Sequence, residues 1–172
     1  MKNMKVVLSV VLFLFVSSGL FAQSELKVGT KAPDFTLQDA AGHSYTLSSF
    51  EGKSPVIVYF YPKAGTFGCT KEACGIRDDW NKFKKNGIKV FGVSVDGKKD
   101  LRTFIKNYHL NFPLLSDSDK VVSQKYGVLL NNGMDNRVTY VIDKKGYIAN
   151  VIEVKNIEKH ASQVFQLALK LK

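Results

Sequence analysis

The only two thiols of this chain lie five residues apart in Tyr61-Pro-Lys-Ala-Gly-Thr-Phe-Gly-Cys-Thr-Lys-Glu-Ala-Cys74. The thiolate is the reactive form of cysteine, so the chemistry open to this segment depends on what favours a negative sulfur. The segment joins an apolar run, Pro55-Val-Ile-Val-Tyr-Phe-Tyr61, to a stretch with apolar residues at Ala73, Ile76, Trp80 and Phe83. The first reads as a buried strand, β-branched and aromatic with proline on both sides; the second reads as an amphipathic helix. Cys69 therefore falls at or just inside a helix N-terminus. Unpaired backbone N–H groups and the positive end of the helix dipole there favour a thiolate over a thiol.

The spacing of the pair adds a constraint. In one continuous helix, residues five apart lie roughly 140° apart around the axis and about 7.5 Å along it. A disulfide needs Cα atoms within about 7 Å and converging Cβ vectors, so the two sulfurs cannot bond while such a helix is intact. Spacing alone leaves three readings open. The helix starts later and a structural disulfide closes a tight loop; or both are inert core thiols; or they form a redox couple that bonds only when the first helical turn opens. Upstream of Cys69, Pro62 stops the strand, and Gly65 and Gly68 let the backbone approach closely. The Thr66 hydroxyl, three residues before the cysteine, is close enough to reach the sulfur or whatever the sulfur attacks.

The elements that must position this segment follow from hydrophobic period and turn residues. Val28 to Leu37 and His43 to Leu47, separated by Asp39 to Gly42, predict a short hairpin. The helix from about Cys69 stops at Asn86-Gly87. Ile88 to Val95 reads as a second buried strand closed by the Asp96-Gly97 turn. Asp100 to Tyr108 carries Leu101, Phe104, Ile105 and Tyr108 at helical spacing. Asn111 to Asp117 predicts a strand-like link, and Ser118 to Tyr126 a short helix. Val138 to Asp143 is a third buried strand, with Tyr147 to Val154 as its antiparallel partner. A final helix from Asn156 presents Ile157, Ala161, Val164, Phe165, Ala168 and Leu169. This order predicts one α/β domain, a mixed central sheet with helices on both faces. The loop after the central strand then lies at the C-terminal edge of the sheet, where ligands usually bind.

A length of 172 residues with 45% hydrophobic content is enough for one domain with a proper core. The net charge is +10, or +8 without Lys2 and Lys5. The lysines are scattered (Lys82, Lys84, Lys85, Lys98, Lys99, Lys144, Lys145) and no helix face is uniformly basic, which argues against a nucleic-acid partner. Attraction of anions or acidic partners is compatible with that surface. At the N-terminus, Lys2 and Lys5 precede the apolar run Val6 to Val16, then Ser17-Ser-Gly19 and the small residue Ala22. That sequence predicts a secretory signal peptide over residues 1–22, too short in its uninterrupted apolar run for the roughly 20 residues of a spanning helix. The predicted mature chain, residues 23–172, is exported to a periplasmic or extracellular space, without stable membrane association. Two cysteines in an oxidising compartment are normally found paired.

Phe60 to Cys74 resembles the active-site segment of the peroxiredoxins. It fits their Pro-x-x-x-Thr-x-x-Cys pattern and, within them, the peroxiredoxin Q or bacterioferritin-comigratory-protein group. Gly29 to Leu37 is similar to the family's N-terminal hairpin, Phe112 to Asp117 to its Phe-Pro-Leu-Leu-Ser-Asp link, and Arg137 to Asp143 to the strand bearing its active-site arginine. These four segments, in the right order, extend over nearly the whole mature chain. The resemblance implies a thioredoxin-like fold. It implies that Cys69 is the peroxidatic cysteine and Cys74 the resolving one. Thr66 would hydrogen-bond the peroxide, Pro62 would shield the sulfur from bulk water, and Arg137 would hold the thiolate and the charge developing on oxygen. The implied activity is a thiol-dependent peroxidase acting on hydrogen peroxide and organic hydroperoxides, through a Cys69 sulfenic acid and a Cys69–Cys74 disulfide. A thioredoxin-type dithiol would recycle it, with no metal, haem or flavin, and the resemblance favours a monomer. Elementary chemistry agrees: in-line attack on an O–O bond needs an ionised sulfur and donors aimed at both oxygens. Two departures bear on peroxide preference rather than on the reaction. Phe67 stands where the family more often has proline, and Ala64-Gly65 replaces a pair that is often acidic.

Taken alone, Arg137 reads as a surface cation. His43, His109 and His160 are dispersed and read as surface or satisfied residues, Glu72 as a capping or local hydrogen-bonding group, and Trp80 as core. A thiol–disulfide oxidoreductase on the same fold is the alternative, but it wants Cys-x-x-Cys where four residues intervene here. A copper-holding assembly factor uses Cys-x-x-x-Cys and a distant histidine, and sulfurs on opposite helix faces would not share an ion.

Overall fold

A computed structural model describes residues 26–172. The predicted leader, residues 1–22, lies outside the described residues. Among those described, no helix is long and apolar enough to cross a membrane.

The sheet grows outward from its most apolar run. β1 (Thr36–Asp39) and β2 (Ser44–Thr46) form a hairpin, and β3 (Val56–Phe60) is buried at every position. A strand buried on both faces has to be covered on both, which explains why it stands near the middle. β4 (Lys89–Ser94) pairs with β3 in parallel and β5 (Leu114–Ser116) with β4 in parallel. On the other side, β6 (Val138–Ile142) runs antiparallel to β3, and β7 (Ile148–Glu153) antiparallel to β6. The hairpin joins through β1 to β5, giving the order β2-β1-β5-β4-β3-β6-β7. The predicted mixed sheet is therefore present, as one seven-stranded unit.

Alternation along the strands sorts the core into two layers. Ile57, Tyr59 and Val141 face one side, where they meet three helices: α1 (Phe67–Lys85), α2 (Lys98–Tyr108) and α4 (Ile157–Leu169). Ile76 and Phe83 of α1, Leu101 and Phe104 of α2, and Val164 and Ala168 of α4 fill that layer. Val56, Val58 and Phe60 face the other side, against Tyr126, Ala32, Phe35 and Val122 of the short α3 (Val121–Lys125). Helices do cover both faces, but unequally. Trp80 is only partly buried and packs at the edge of the first layer, its ring 5.8 Å from that of Phe112.

Two predicted elements are shorter than their sequence pattern suggests. Residues 28–35 are not the arm of a hairpin; they contribute one isolated bridge, Lys31 to Tyr147. Pro33 has no N–H for a ladder. Asp34 Oδ1 next to it collects the N–H groups of Phe35 and Ser48, each at 2.9 Å, in place of strand pairing. The helix predicted from Ser118 begins only at Val121, because Lys120 adopts a left-handed φ of 63°. The Asp117 carboxylate then takes the first free N–H groups, Val122 N at 3.2 Å and Ser123 N at 2.7 Å.

Gly92 of β4 is fixed by its neighbours. A Cβ there would lie 2.6 Å from both Leu114 Cδ2 and the Tyr59 hydroxyl, atoms of buried side chains on the strands to either side. Overfilling a packed core in this way costs about 1–3 kcal/mol. Gly92→Ala should lower unfolding stability by that amount in a denaturant titration, and a variant as stable as the parent would show that the two strands shift freely.

Candidate active site

The site forms where β3 ends. Its parallel neighbour β4 ends beside it, and Asp96, just beyond β4, accepts hydrogen bonds from Ala64 N at 2.7 Å and Ser94 Oγ at 2.9 Å. That carboxylate ties the loop after β3 to the loop after β4. Gly65 takes a φ of 78°, which turns the chain into α1 at a position where a side chain would be strained. Thr66 is the N-cap of α1 in extended conformation, and its backbone carbonyl accepts the first helical bond from Thr70 N at 2.8 Å. Cys69 is thus the third residue of the helix, among N–H groups that have no partner within it. Its side chain is 1% exposed.

Alternation along β6 brings the rest. Arg137, immediately before β6, and Thr139 within it point to the same face as Val141, toward α1 and α4. Arg137 Nη2 lies 3.1 Å from Cys69 Sγ, and Nη1 hydrogen-bonds Glu72 Oε2. Behind Glu72, His160 of α4 places Nδ1 3.0 Å from Glu72 Oε1, with Nε2 2.9 Å from Thr139 Oγ1. Glu72, Thr139 and His160 are all fully or almost fully buried. A connected set results: Thr139, His160, Glu72, Arg137, Cys69.

The electrostatics follow from that burial. Loss of solvent pushes the Glu72 carboxyl up to about 7, against the pull of Arg137. Loss of solvent, with the Arg137 charge adding to it, pushes His160 down to about 4, so the ring is neutral at neutral pH. Burial works against the charge on Arg137, yet Glu72 and Cys69 hold it above its ordinary value. A permanent cation therefore sits against the sulfur in a place of low water content. Such a group stabilises negative charge on the sulfur and on an oxygen atom brought to it.

Cys74 is half-buried, Cys69 is buried, and both thiols are free. Both belong to one unbroken helix, in which residues five apart have Cα atoms about 8.7 Å apart, beyond disulfide reach. Thr66 Oγ1 donates to Lys63 O at 3.0 Å, and no hydrogen bond joins it to Cys69. Pro62 is partly buried in the turn after β3. Gly68 is what lets Arg137 in: a Cβ there would lie 3.3 Å from Nη2 and 3.3 Å from Ile157 Cδ1. Phe67 is 80% exposed, with Lys71 Nζ 5.4 Å from its ring centre. His43 is an exposed partner of Asp39 at 3.1 Å, and His109 is the left-handed C-cap of α2. Among the described residues, no cluster of three or more His, Cys, Asp or Glu side chains could hold a metal ion.

Two residues gain importance that sequence reasoning did not assign them. Glu72 does not cap the helix; it is the sixth residue of α1 and faces inward onto Arg137. Of the two readings given for His160, surface or satisfied, the surface one fails: it is buried between Glu72 and Thr139. Both lie on the apolar stripes of their helices, Glu72 four before Ile76 and His160 four before Val164. A titratable residue in phase with a buried stripe is the signal that identifies them.

A sequence model described as the AhpC/TSA family matches residues 28–151. A protein of Coxiella burnetii named putative peroxiredoxin bcp is 42% identical over 147 residues, covering 81% of this chain and 96% of that one. The chloroplastic peroxiredoxin Q of Sedum lineare is 44% identical over 147 residues, covering 84% of this chain and 78% of that one. The crystal structure of the peroxidoxin BcpB from Mycobacterium tuberculosis superposes with a TM-score of 0.78 at 32% identity, over 86% of this chain and 99% of that chain.

The loop that delivers Arg137 carries its own buried acid. Asp135, two residues upstream, is fully buried, and loss of solvent pushes its carboxyl up to about 7, eased by Ser123 and reinforced by Asp117 and Asp96. A folded value above the unfolded one stabilises the protein fully below about pH 4, and that contribution disappears as the pH rises through about 7. The difference in stability between Asp135→Asn and the parent should therefore grow from pH 4 to pH 8 in favour of the variant. Chemical denaturation across that range measures it, and a difference independent of pH would exclude titration of Asp135.

Proposed function

This chain belongs to the AhpC/TSA family and is a thiol-dependent peroxidase, and from that premise we propose that Cys69 is its peroxidatic cysteine and Cys74 its resolving cysteine. The observation that carries the assignment is Arg137 Nη2 at 3.1 Å from a sulfur on the third residue of a helix. The Cys69 thiolate attacks the terminal oxygen of a hydroperoxide in line with the O–O bond. An S–O bond forms, the O–O bond breaks, and both electrons of the broken bond leave on the departing oxygen. That oxygen takes a proton to become water or an alcohol, and Cys69 is left as a sulfenic acid. Arg137 stabilises the negative charge before and during the transfer. Thr66 turns its hydroxyl from Lys63 O to the bound peroxide, and Pro62 limits the access of water. Phe67, exposed two residues before the sulfur, offers an apolar approach for organic hydroperoxides.

Resolution needs a change of shape. Cys74 condenses with the sulfenic acid, releasing water and closing a disulfide, and the helical separation of the pair requires the first turn of α1 to open. A thioredoxin-type dithiol then reduces the disulfide by exchange and is itself oxidised. We further propose that residues 1–22 are removed on export to a periplasmic or extracellular space, that residues 23–172 are the working domain, and that it acts as a monomer. The apolar run Val6 to Val16 behind Lys2 and Lys5 supports export.

Substitutions separate the roles. Cys69→Ser should reduce peroxide consumption by at least about 10³-fold, whereas Cys74→Ser should complete one turnover and accumulate a sulfenic acid that dimedone labels. Full turnover by Cys69→Ser would overturn the assignment. Amide exchange over residues 70–75 should accelerate in the disulfide form, and identical exchange in both redox states would exclude the opening step. Intact mass of the secreted protein should begin at Gln23, and sedimentation should give a single species of monomer mass; a retained leader or a dimer would refute those two points.

A further inference from the structure

The proposed reaction uses one positive charge, and two acids lie against it. Arg137 faces Cys69 through Nη2 and Glu72 through Nη1. With both acids ionised, this buried group would hold two negative charges against one positive, and an uncompensated buried charge is strongly unfavourable. With a proton on Glu72, the group is neutral and the guanidinium charge belongs to the sulfur alone.

What lies behind Glu72 decides between the two. Glu72 Oε1 and His160 Nδ1 are buried 3.0 Å apart, and neither has a hydrogen-bond partner. Buried polar atoms seldom stay unpaired, and a small turn of either side chain lets a proton shared between these two satisfy both. The second ring nitrogen is 2.9 Å from Thr139 Oγ1, a hydroxyl that donates or accepts as required. Thr139 is itself held in β6 opposite Tyr59. With Nε2–H donating to Thr139, Nδ1 is a bare acceptor 3.0 Å from the carboxyl oxygen.

We propose that His160 is a positioning residue for the peroxidase reaction: its Nδ1 accepts the hydrogen bond of a protonated Glu72, which leaves Arg137 to the Cys69 thiolate. This rests on the reading of Cys69 as the attacking sulfur. The titratable and charged groups facing Glu72 are Cys69 from its own helix, Tyr59 from β3, Arg137 at the start of β6 and His160 from α4. Tyr59 stays neutral, since burial raises its hydroxyl well above its ordinary value. Between Glu72, near 7, and His160, near 4, a single shared proton resides on the carboxyl. Outside the core, the exposed pair of Lys71 and Glu158, at 2.8 Å, links the same two helices.

The test is the pH dependence of the second-order rate constant for hydrogen peroxide, measured on the reduced protein. His160→Leu removes the acceptor at similar volume, so the protonated carboxyl loses its partner while the carboxylate keeps Arg137, and the balance moves toward the carboxylate that competes for the guanidinium. The midpoint should move to higher pH by about one unit, a loss of about tenfold one unit below the parent midpoint, with the high-pH plateau kept. Adding Glu72→Gln, which cannot ionise, should return the midpoint to the parent value or below. A uniform loss at every pH, an unmoved midpoint, or no recovery in the double variant would overturn the proposal. Should His160→Leu not fold, Glu72→Gln alone decides it: activity kept with the parent midpoint supports a Glu72 that is protonated in the parent, and a midpoint moved to lower pH, or activity lost throughout, refutes it. Loss of the Cys69 assignment itself would show separately, as turnover that survives Cys69→Ser.

Discussion

A single guanidinium charge, held where water is scarce, is the constraint on which the arrangement of this site depends. In water, a cation 3 Å from a sulfur would do little; in a buried pocket the same contact is several times stronger. The strength makes the charge useful and also makes it contested, because Glu72 is as close to Arg137 as Cys69 is. The surrounding fold serves to bring these three groups together and exclude others. Period-two alternation in β6 sends Arg137 and Thr139 to the helix side of the sheet. α1 lies across that side with its N-terminus at the end of β3. Gly68, by lacking a Cβ, leaves the guanidinium a path to the sulfur past the first turn.

Much of this was legible in the sequence because it rests on local rules. The apolar run before Pro62, the helical period after Thr70 and the five-residue spacing of the thiols fix where Cys69 lies and why Cys74 cannot reach it. What stayed hidden depends on pairs distant in the chain. Glu72 and His160 each look like a polar interruption of an apolar stripe, and neither can be interpreted until α4 is laid against α1. The shortened hairpin arm and α3 fail for a different reason. Asp34 and Asp117 draw backbone N–H groups to their own carboxylates, a competition that hydrophobic period does not register. Thr66 is close to Cys69 in sequence, yet its extended N-cap backbone, at φ −74° and ψ 155°, turns the hydroxyl toward Lys63 O. Proximity along a chain does not determine direction.

The same contacts explain why one helix can be both rigid scaffold and moving part. From Ile76 to Phe83, α1 is anchored by side chains with no exposure, and its end is closed by the Asn86-Gly87 turn. Its first turn has far less to hold it: no side-chain cap at Thr66, no acidic residue to complement the helix dipole, and an exposed Phe67. What keeps that turn in place is chiefly the burial of Cys69 and the contact of its sulfur with Arg137. In the proposed cycle, oxidation of the sulfur removes the negative charge that bound the guanidinium, and with it the main restraint on the turn. With the thiolate gone, Arg137 favours the ionised form of Glu72, which can then give up its proton and pair with the cation. Chemistry at the sulfur and release of the turn are thus one event seen from two sides, and the acid beneath them can change its protonation state as the sulfur loses its charge.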